Sequence, residues 1–408
     1  MNSIKRFYLI IFLFYISGLP QRLGLVPQLV NEVLILFFAI PGIFFFSVYL
    51  VKFRYKAEML DFYLLLFLII YPVFSAIVAK ITVGQPLYMG ILSFRGLYII
   101  LAFYTIYCMN FNELAILSHV NTVNVFIILL VVFLFFILSI NDFNTVFRKG
   151  TLAIKYGYTS TKGNQFSGYS GLFFISFIYG WVLYFEKHSI KYLILPAGIL
   201  VCSVFITKAR NEIFTICIIP FAMYYLKYKM FNIKFLTITI FLVLIFYITI
   251  ATDNIVSRSF SGLLHPRDLE FAQTTKDYSA YLRVQEIKDG LKWFLKYPIT
   301  GVGSISYRYN GGYMGFISNF FYISDIGLVG LLIKGGVILV ALYTLFFRKL
   351  ISYFSADDII SVTGRYMILF ILIELIIGND FFYNNSGAMV VLFLIRPSRN
   401  GIERSLYY

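Results

Sequence analysis

The chain is poor in charge: Asp, Glu, Lys and Arg make up 13% of its 408 residues. Soluble domains carry about 25%. So few charges cannot cover, in water, a chain that is 60% hydrophobic. Acidic residues are the scarcer sign, 19 against 34 Lys and Arg. Cysteine is nearly absent. Cys108, Cys202 and Cys217 lie far apart in apolar runs, with no CxxC and no adjacent histidine. That argues against a disulfide framework or a zinc site and leaves small core residues. Histidine is limited to His119, His188 and His265. The first two are expected in cytoplasmic loops, and His265 in an outer loop is either exposed or a general base. Walker, HExxH and DxD-like motifs are missing, which argues against a nucleotide-driven reaction in the cytoplasm.

What is abundant is long apolar runs, with 46 Phe and 33 Tyr. A spanning helix needs about 20 such residues. Twelve candidate spans begin near Phe7, Val33, Phe62, Ile91, Val123, Tyr169, Tyr192, Ile213, Phe235, Gly327, Tyr366 and Ser386. The expected fold is therefore all-α and polytopic, with about 12 transmembrane helices, or 11 because some runs are short. The first run, Phe7 to Leu19, follows Lys5 and Arg6 but lacks a small-x-small cleavage site, so it reads as an uncleaved span. The division expected is one transmembrane domain, 1–408, with a large extracytoplasmic loop at 252–316 and a second at 141–168. With both termini cytoplasmic, the inner segments hold sixteen Lys and Arg, and the short outer loops hold four: Arg22, Lys80, Lys208 and Arg210. This is the positive-inside pattern. The net charge of +15 is thus mostly topology, and no nucleic-acid partner is implied. No repeat relates the two halves, which argues against a pseudo-symmetric transporter.

The outer side carries the candidate chemistry. Residues 277–297 read as an amphipathic helix, with Tyr281, Val284, Ile287, Leu291 and Leu295 on one stripe and Arg283, Lys288, Lys292 and Lys296 on the polar side. Such a helix rests in headgroups or sets Arg283 over an anion. Pro298 ends it. Gly301 and Gly303 then form a plain turn or a loop whose N–H groups approach a phosphate. Arg210 lies in the short outer turn between spans seven and eight, and Arg95 lies one helical turn inside span four. Together Arg95, Arg210 and Arg283 could clamp a phosphate or pyrophosphate, because guanidinium forks hold such oxygens bidentately. Lys334 and Glu374 fall at similar depth in neighbouring spans and are expected to form a structural pair.

Three stretches then resemble the O-antigen polymerase and O-antigen ligase superfamily of bacterial envelope glycosyltransferases. Thr207-Lys208-Ala209-Arg210 is similar to its S/T-x-x-R outer turn. Arg283 to Gly303, RVQEIKDGLKWFLKYPITGVG, is similar to its "R, aromatic, P-x-x-G-x-G" stretch. Ser324 to Gly330 is similar to its acid-x-G-x-x-G lead-in to the next span. Ligases commonly carry a histidine just before that last motif, and Phe316 to Tyr322 has none, which tilts the reading toward polymerase. The resemblance implies a GT-C-like enzyme in the bacterial inner membrane. Donor and acceptor would both be oligosaccharides on a polyprenyl (undecaprenyl) pyrophosphate. Membrane lipids and a chain-length regulator protein are further expected partners, and no cofactor or metal is required. Arg210 and Arg283, with Arg95 third, would stabilise the departing pyrophosphate. Asp325 would take the acceptor proton or cap its helix. A ligase and a lipid-linked oligosaccharide flippase are the alternatives.

Overall fold

A computed structural model describes residues 3–22, 26, 28–52, 59–109, 111–133, 170–203, 210–228, 279–318, 321–377, 391, 392, 394 and 395. Among these residues the regular elements are helices and no strand occurs. They are α1 (Ser3–Ile16), α2 (Gln28–Lys52), α3 (Met59–Leu65, a π turn at Leu66–Ile70, then Tyr71–Val83), α4 (Leu87–Leu92), a 3-10 stretch Arg95–Leu101 running into α5 (Ala102–Cys108), and α6 (Glu113–Val132). There follow α7 (Ser170–Lys187), α8 (Ile194–Cys202), α9 (Arg210–Tyr228), α10 (Ser279–Lys296), α11 (Gly327–Tyr353) and α12 (Ile359–Ile377).

Five stretches among the described helices are long and apolar enough to cross a membrane: Val30–Val48, Leu60–Val83, Glu113–Val132, Gly327–Tyr353 and Ile359–Ile376. Shorter apolar helices, Arg95–Cys108, Ile190–Cys202 and Thr215–Tyr225, fall where spans four, seven and eight are expected. Span nine, span twelve apart from residues 391, 392, 394 and 395, the 141–168 loop and residues 252–278 lie outside the described residues.

Local chemistry sets several boundaries. The π turn in α3 directly precedes Pro72, whose ring cannot accept a regular helical turn behind it. Gly84 ends α3 in the left-handed region with φ 77°, as a terminal glycine can. Asn112 caps α6, its Oδ1 accepting from the Leu114 N–H at 3.0 Å. His119 sits within α6, not in a loop as expected, because this cap starts the helix ten residues before Val123.

The core is aromatic. Phe12 and Phe38 meet edge to face at 5.0 Å, Phe67 and Phe346 at 5.5 Å, each such pair worth about 0.5–1.5 kcal/mol beyond its area. Close approach comes from small residues, as expected where lipid removes the hydrophobic drive between helices. Gly42 of α2 lies on the Leu101 backbone, and Gly180 of α7 on Pro196. Several buried polar groups pair with one another across helices. Tyr104 donates to Asp61 at 2.7 Å, and Asn124 donates to the Leu172 carbonyl and to Ser176 at 2.6 and 2.7 Å. Of the cysteines Cys202 is buried, whereas Cys108 and Cys217 lie on exposed helix faces.

The feature that organises the outer half is a break in α11. Gly336 takes φ 60° and ψ −160°, so the helix stops and restarts within one span. Residues 298–303 lie in the gap. Val302 N–H donates to the Ile333 carbonyl at 2.8 Å, and Gly303 N–H to the Lys334 carbonyl at 3.1 Å. From the other side Val337 N–H donates to Pro298 O at 3.0 Å and Ile338 N–H to Ile299 O at 3.3 Å. The break therefore leaves these four backbone groups paired. A Cβ on Gly301 would collide with the Ile333 carbonyl and the Gly335 and Gly336 nitrogens, and its φ of 63° disfavours any side chain. Gly301→Ala should lose roughly 2–5 kcal/mol, the sum of a left-handed penalty and overpacking. Gly198→Ala, which meets only Ile128 at 3.8 Å, should stay within about 1 kcal/mol. Thermal melts of the two purified variants against wild type check both.

Candidate functional site at the outer face

The inserted segment is also fastened to α3. Ser304 N–H donates to Ser75 Oγ at 2.8 Å, Gln85 Nε2 donates to Ser304 O at 3.0 Å, and Ser306 N–H donates to Gln85 Oε1 at 2.6 Å. Thr82 donates to Val302 O at 2.8 Å, and Tyr313 to Gly303 O at 2.7 Å. Residues 298–306 are thus a splice between α3 and the broken α11. This corrects the phosphate-loop reading of Gly301 and Gly303. Their N–H groups donate to Tyr297 O at 2.9 Å and to Lys334 O. The two positions need glycine because backbone passes against them. A Cβ on Gly303 would strike Ser75 O and Ala79.

The splice fixes α10, whose last turn leads straight into Pro298. The helix spans nearly the expected range, but it buries a different face. Gly290 packs on Ile333 and Phe321, and Ile287, Trp293, Phe294 and Tyr297 join an outer core with Val302, Ile305, Phe321 and Ile333. Leu291 and Leu295 of the expected apolar stripe are exposed, because glycine at 290 lets α11 approach on the other side.

Glu286 lies on the inward face at 4% exposure. It accepts the Tyr322 N–H at 3.0 Å, tying α10 to the turn that leads into α11. Burial pushes its carboxyl from 4.5 up to about 7. The Tyr322 N–H opposes this, the Asp325 charge adds to it, and the Arg283 charge opposes it. Arg283 and Asp325 thus both lie within electrostatic reach of Glu286. Asp325 sits in the 3-10 turn Ile323–Ile326 and does not cap α11: Ile326 holds the cap position, with no side-chain cap bond.

Arg95 belongs to a second centre. Its Nη2 lies 3.0 Å from Glu32 Oε1, and Arg308 reaches the same oxygen at 3.8 Å. Arg95 opens the 3-10 stretch after a turn at Ser93 and Phe94, so it marks an element boundary and is not a turn deep in a helix. Arg210 is the first residue of α9; its side chain, and Thr207 to Ala209, lie outside the described residues. Lys334 and Glu374 each meet a further neighbour. Lys334 Nζ stands 5.1 Å over the Phe94 ring, while buried Glu374 accepts from Thr215 at 2.8 Å. The break beside Lys334 turns it toward Phe94, while α12 turns Glu374 toward α9.

Glu32, Glu286 and Arg308 were not singled out from the sequence. Glu286 was detectable as an acid one helical turn from Arg283, and Glu32 as the acid at the head of an apolar run.

This is the architecture of a polytopic helical membrane protein with an outer cap built into a broken span. Residues 164–344 match the family model described as O-antigen ligase. The match supports the O-antigen polymerase and ligase superfamily, and a membrane enzyme of that type. The matched stretch contains Arg210, Arg283, Gly301, Gly303, Asp325 and Lys334; Arg95 and Glu374 fall outside it. No curated protein matches the chain.

The Glu286 ionisation carries a stability prediction. A carboxyl raised in the folded state binds more protons than the unfolded chain between about pH 4.5 and pH 7. Wild-type stability should therefore fall as pH rises through that window and level off above it. Glu286→Gln keeps an acceptor for Tyr322 and removes the titration, so its melting temperature should lose this component of the slope. Melts in detergent at half-unit pH steps check it.

Proposed function

We propose that the chain polymerises lipid-pyrophosphate-linked oligosaccharide repeat units at the outer face of the inner membrane, with both termini cytoplasmic. The observation that carries this reading is the centre formed by Arg283, Glu286 and Asp325 on an outer cap, within the region matched by the family. It joins a fixed cation to carboxylates, the two kinds of group that glycosyl transfer from a pyrophosphate donor uses.

In the reaction, a hydroxyl oxygen of the acceptor sugar attacks the donor's anomeric carbon. The bond from that carbon to the pyrophosphate oxygen breaks, and the pyrophosphate leaves with the electron pair. Arg283, and Arg210 at the head of α9, stabilise the charge that develops there. Asp325, partly exposed, accepts the hydroxyl proton. Glu286 is buried and acts as a positioning residue, holding the 322–326 turn against α10. The leaving group is already activated, so the chemistry calls for no nucleotide.

A second reading, ligation of finished glycan to another acceptor, is favoured by the family's description as O-antigen ligase. Against it stands the lack of a histidine in Phe316 to Tyr322. The cellular phenotype separates the two. A null strain that shows single repeat units on the surface acceptor indicates a polymerase; one that accumulates long lipid-linked chains indicates a ligase.

Purified enzyme given a lipid-linked repeat unit, without nucleotide or metal, should yield a ladder of products. Arg283→Ala and Arg210→Ala should each slow ladder formation about 100- to 1000-fold, and Asp325→Asn should do so with unchanged protein abundance. Wild-type chain lengths in both arginine variants would refute the pyrophosphate role. An Asp325→Asn variant that loses only abundance would make that residue structural.

A further inference from the structure

A polymerase of this kind handles two lipid pyrophosphates at once, a donor and an acceptor. Besides Arg283, the chain has an arginine pair on one carboxylate. This pair, Arg95 and Arg308 on Glu32, brings together three distant parts of the sequence at the outer edge of the bundle. We propose that Arg95 and Arg308, set by Glu32, hold the pyrophosphate of the acceptor glycolipid, with its polyprenyl tail lying along α2. This assignment rests on the polymerase reading above.

Three observations support it. The side chains are reachable: Arg95 is 34% exposed, Glu32 35% and Arg308 59%. Their chemistry fits, since a carboxylate between two guanidiniums fixes both forks at one spot, and such forks bind phosphate oxygens bidentately. An apolar track also starts at the same place. Leu36, Ile40 and Ile43 follow Glu32 at four, eight and eleven residues, which sets them in line with it on the helix surface. All three are exposed, and they continue the line for about 17 Å toward the inner side. An anionic head on the arginines and a hydrocarbon tail on this track match the two halves of a polyprenyl pyrophosphate. The Arg95 and Glu32 side of the centre lies outside residues 164–344, so the family match does not assign it.

Native mass spectrometry of the full chain with undecaprenyl pyrophosphate tests the site without requiring turnover. Wild type should bind two lipids per chain, and the Arg95→Ala/Arg308→Ala double variant should bind one. Two lipids on the double variant would overturn the proposal. So would displacement of the second lipid by equimolar phosphatidylglycerol, since the site would then serve bulk anionic lipid. In a single-addition assay, with the donor held fixed and a lipid-linked acceptor joined to its pyrophosphate by a non-cleavable methylene titrated, Arg308→Ala should raise the acceptor concentration for half-maximal rate about tenfold, with the rate at saturating acceptor changed less than twofold. Arg308→Lys should recover part of the loss. An equal fall at all acceptor concentrations would overturn the acceptor assignment. If wild type itself makes no ladder, the polymerase reading fails and the acceptor role with it, while the two-to-one change in bound lipid still reports the binding site.

Discussion

The outer half of the molecule depends on how a broken span satisfies its own backbone. A helix that stops at Gly336 strands carbonyls and N–H groups at membrane depth, where each unpaired group costs several kcal/mol. Water is not the remedy here. Residues 298–303 enter the gap and pair with Ile333, Lys334, Val337 and Ile338. Everything beyond is placed by that insertion. Pro298 follows the last turn of α10, so the same hydrogen bonds set where Arg283 and Glu286 stand. Ser304 and Ser306 continue from it onto α3, and the next turn delivers Arg308 to Glu32.

Acidic residues mark the sites more sharply than basic ones. The expected orientation accounts for sixteen of the 34 Lys and Arg, so a basic residue alone says little. With only 19 acids in the chain, a carboxylate held among apolar residues on the outer side is uncommon. Glu286 has the Arg283 charge beside it and Glu32 pairs with Arg95, and each ties two elements together. The Tyr322 bond makes the lead-in of α11 and the face of α10 a single unit.

Much of the fold was legible because its signal is long and repeated. Apolar runs of about 20 residues locate helices regardless of detail, and the helix at 277–297 showed itself by its period and by Pro298. What escaped was pairing at a distance. The apolar stripe with Leu291 and Leu295 suits a membrane surface and both are exposed on the protein, but only the contact with α11 shows that Gly290 marks the face packed inside the molecule. Gly301 and Gly303 looked like a ligand loop because a GxG pattern carries no information about which backbone lies against it. Glu286, one helical turn from Arg283, lies within reach of a helical reading, but its burial against Tyr322 depends on a contact 36 residues away.

The seam between α3 and the inserted segment has a consequence for how the protein is made. Ser75, Thr82 and Gln85 leave the ribosome more than 200 residues before Val302, Ser304 and Ser306, their partners. During synthesis the N-terminal bundle must therefore wait in the membrane with an unfilled polar slot on α3. Closure comes only after the outer segment has been translocated and α11 has arrived to receive it. The cap therefore cannot lock until late in synthesis, and a chain that stalls before residue 338 cannot complete it. Its closure is in this way its own check that the chain has been inserted through the first half of α11.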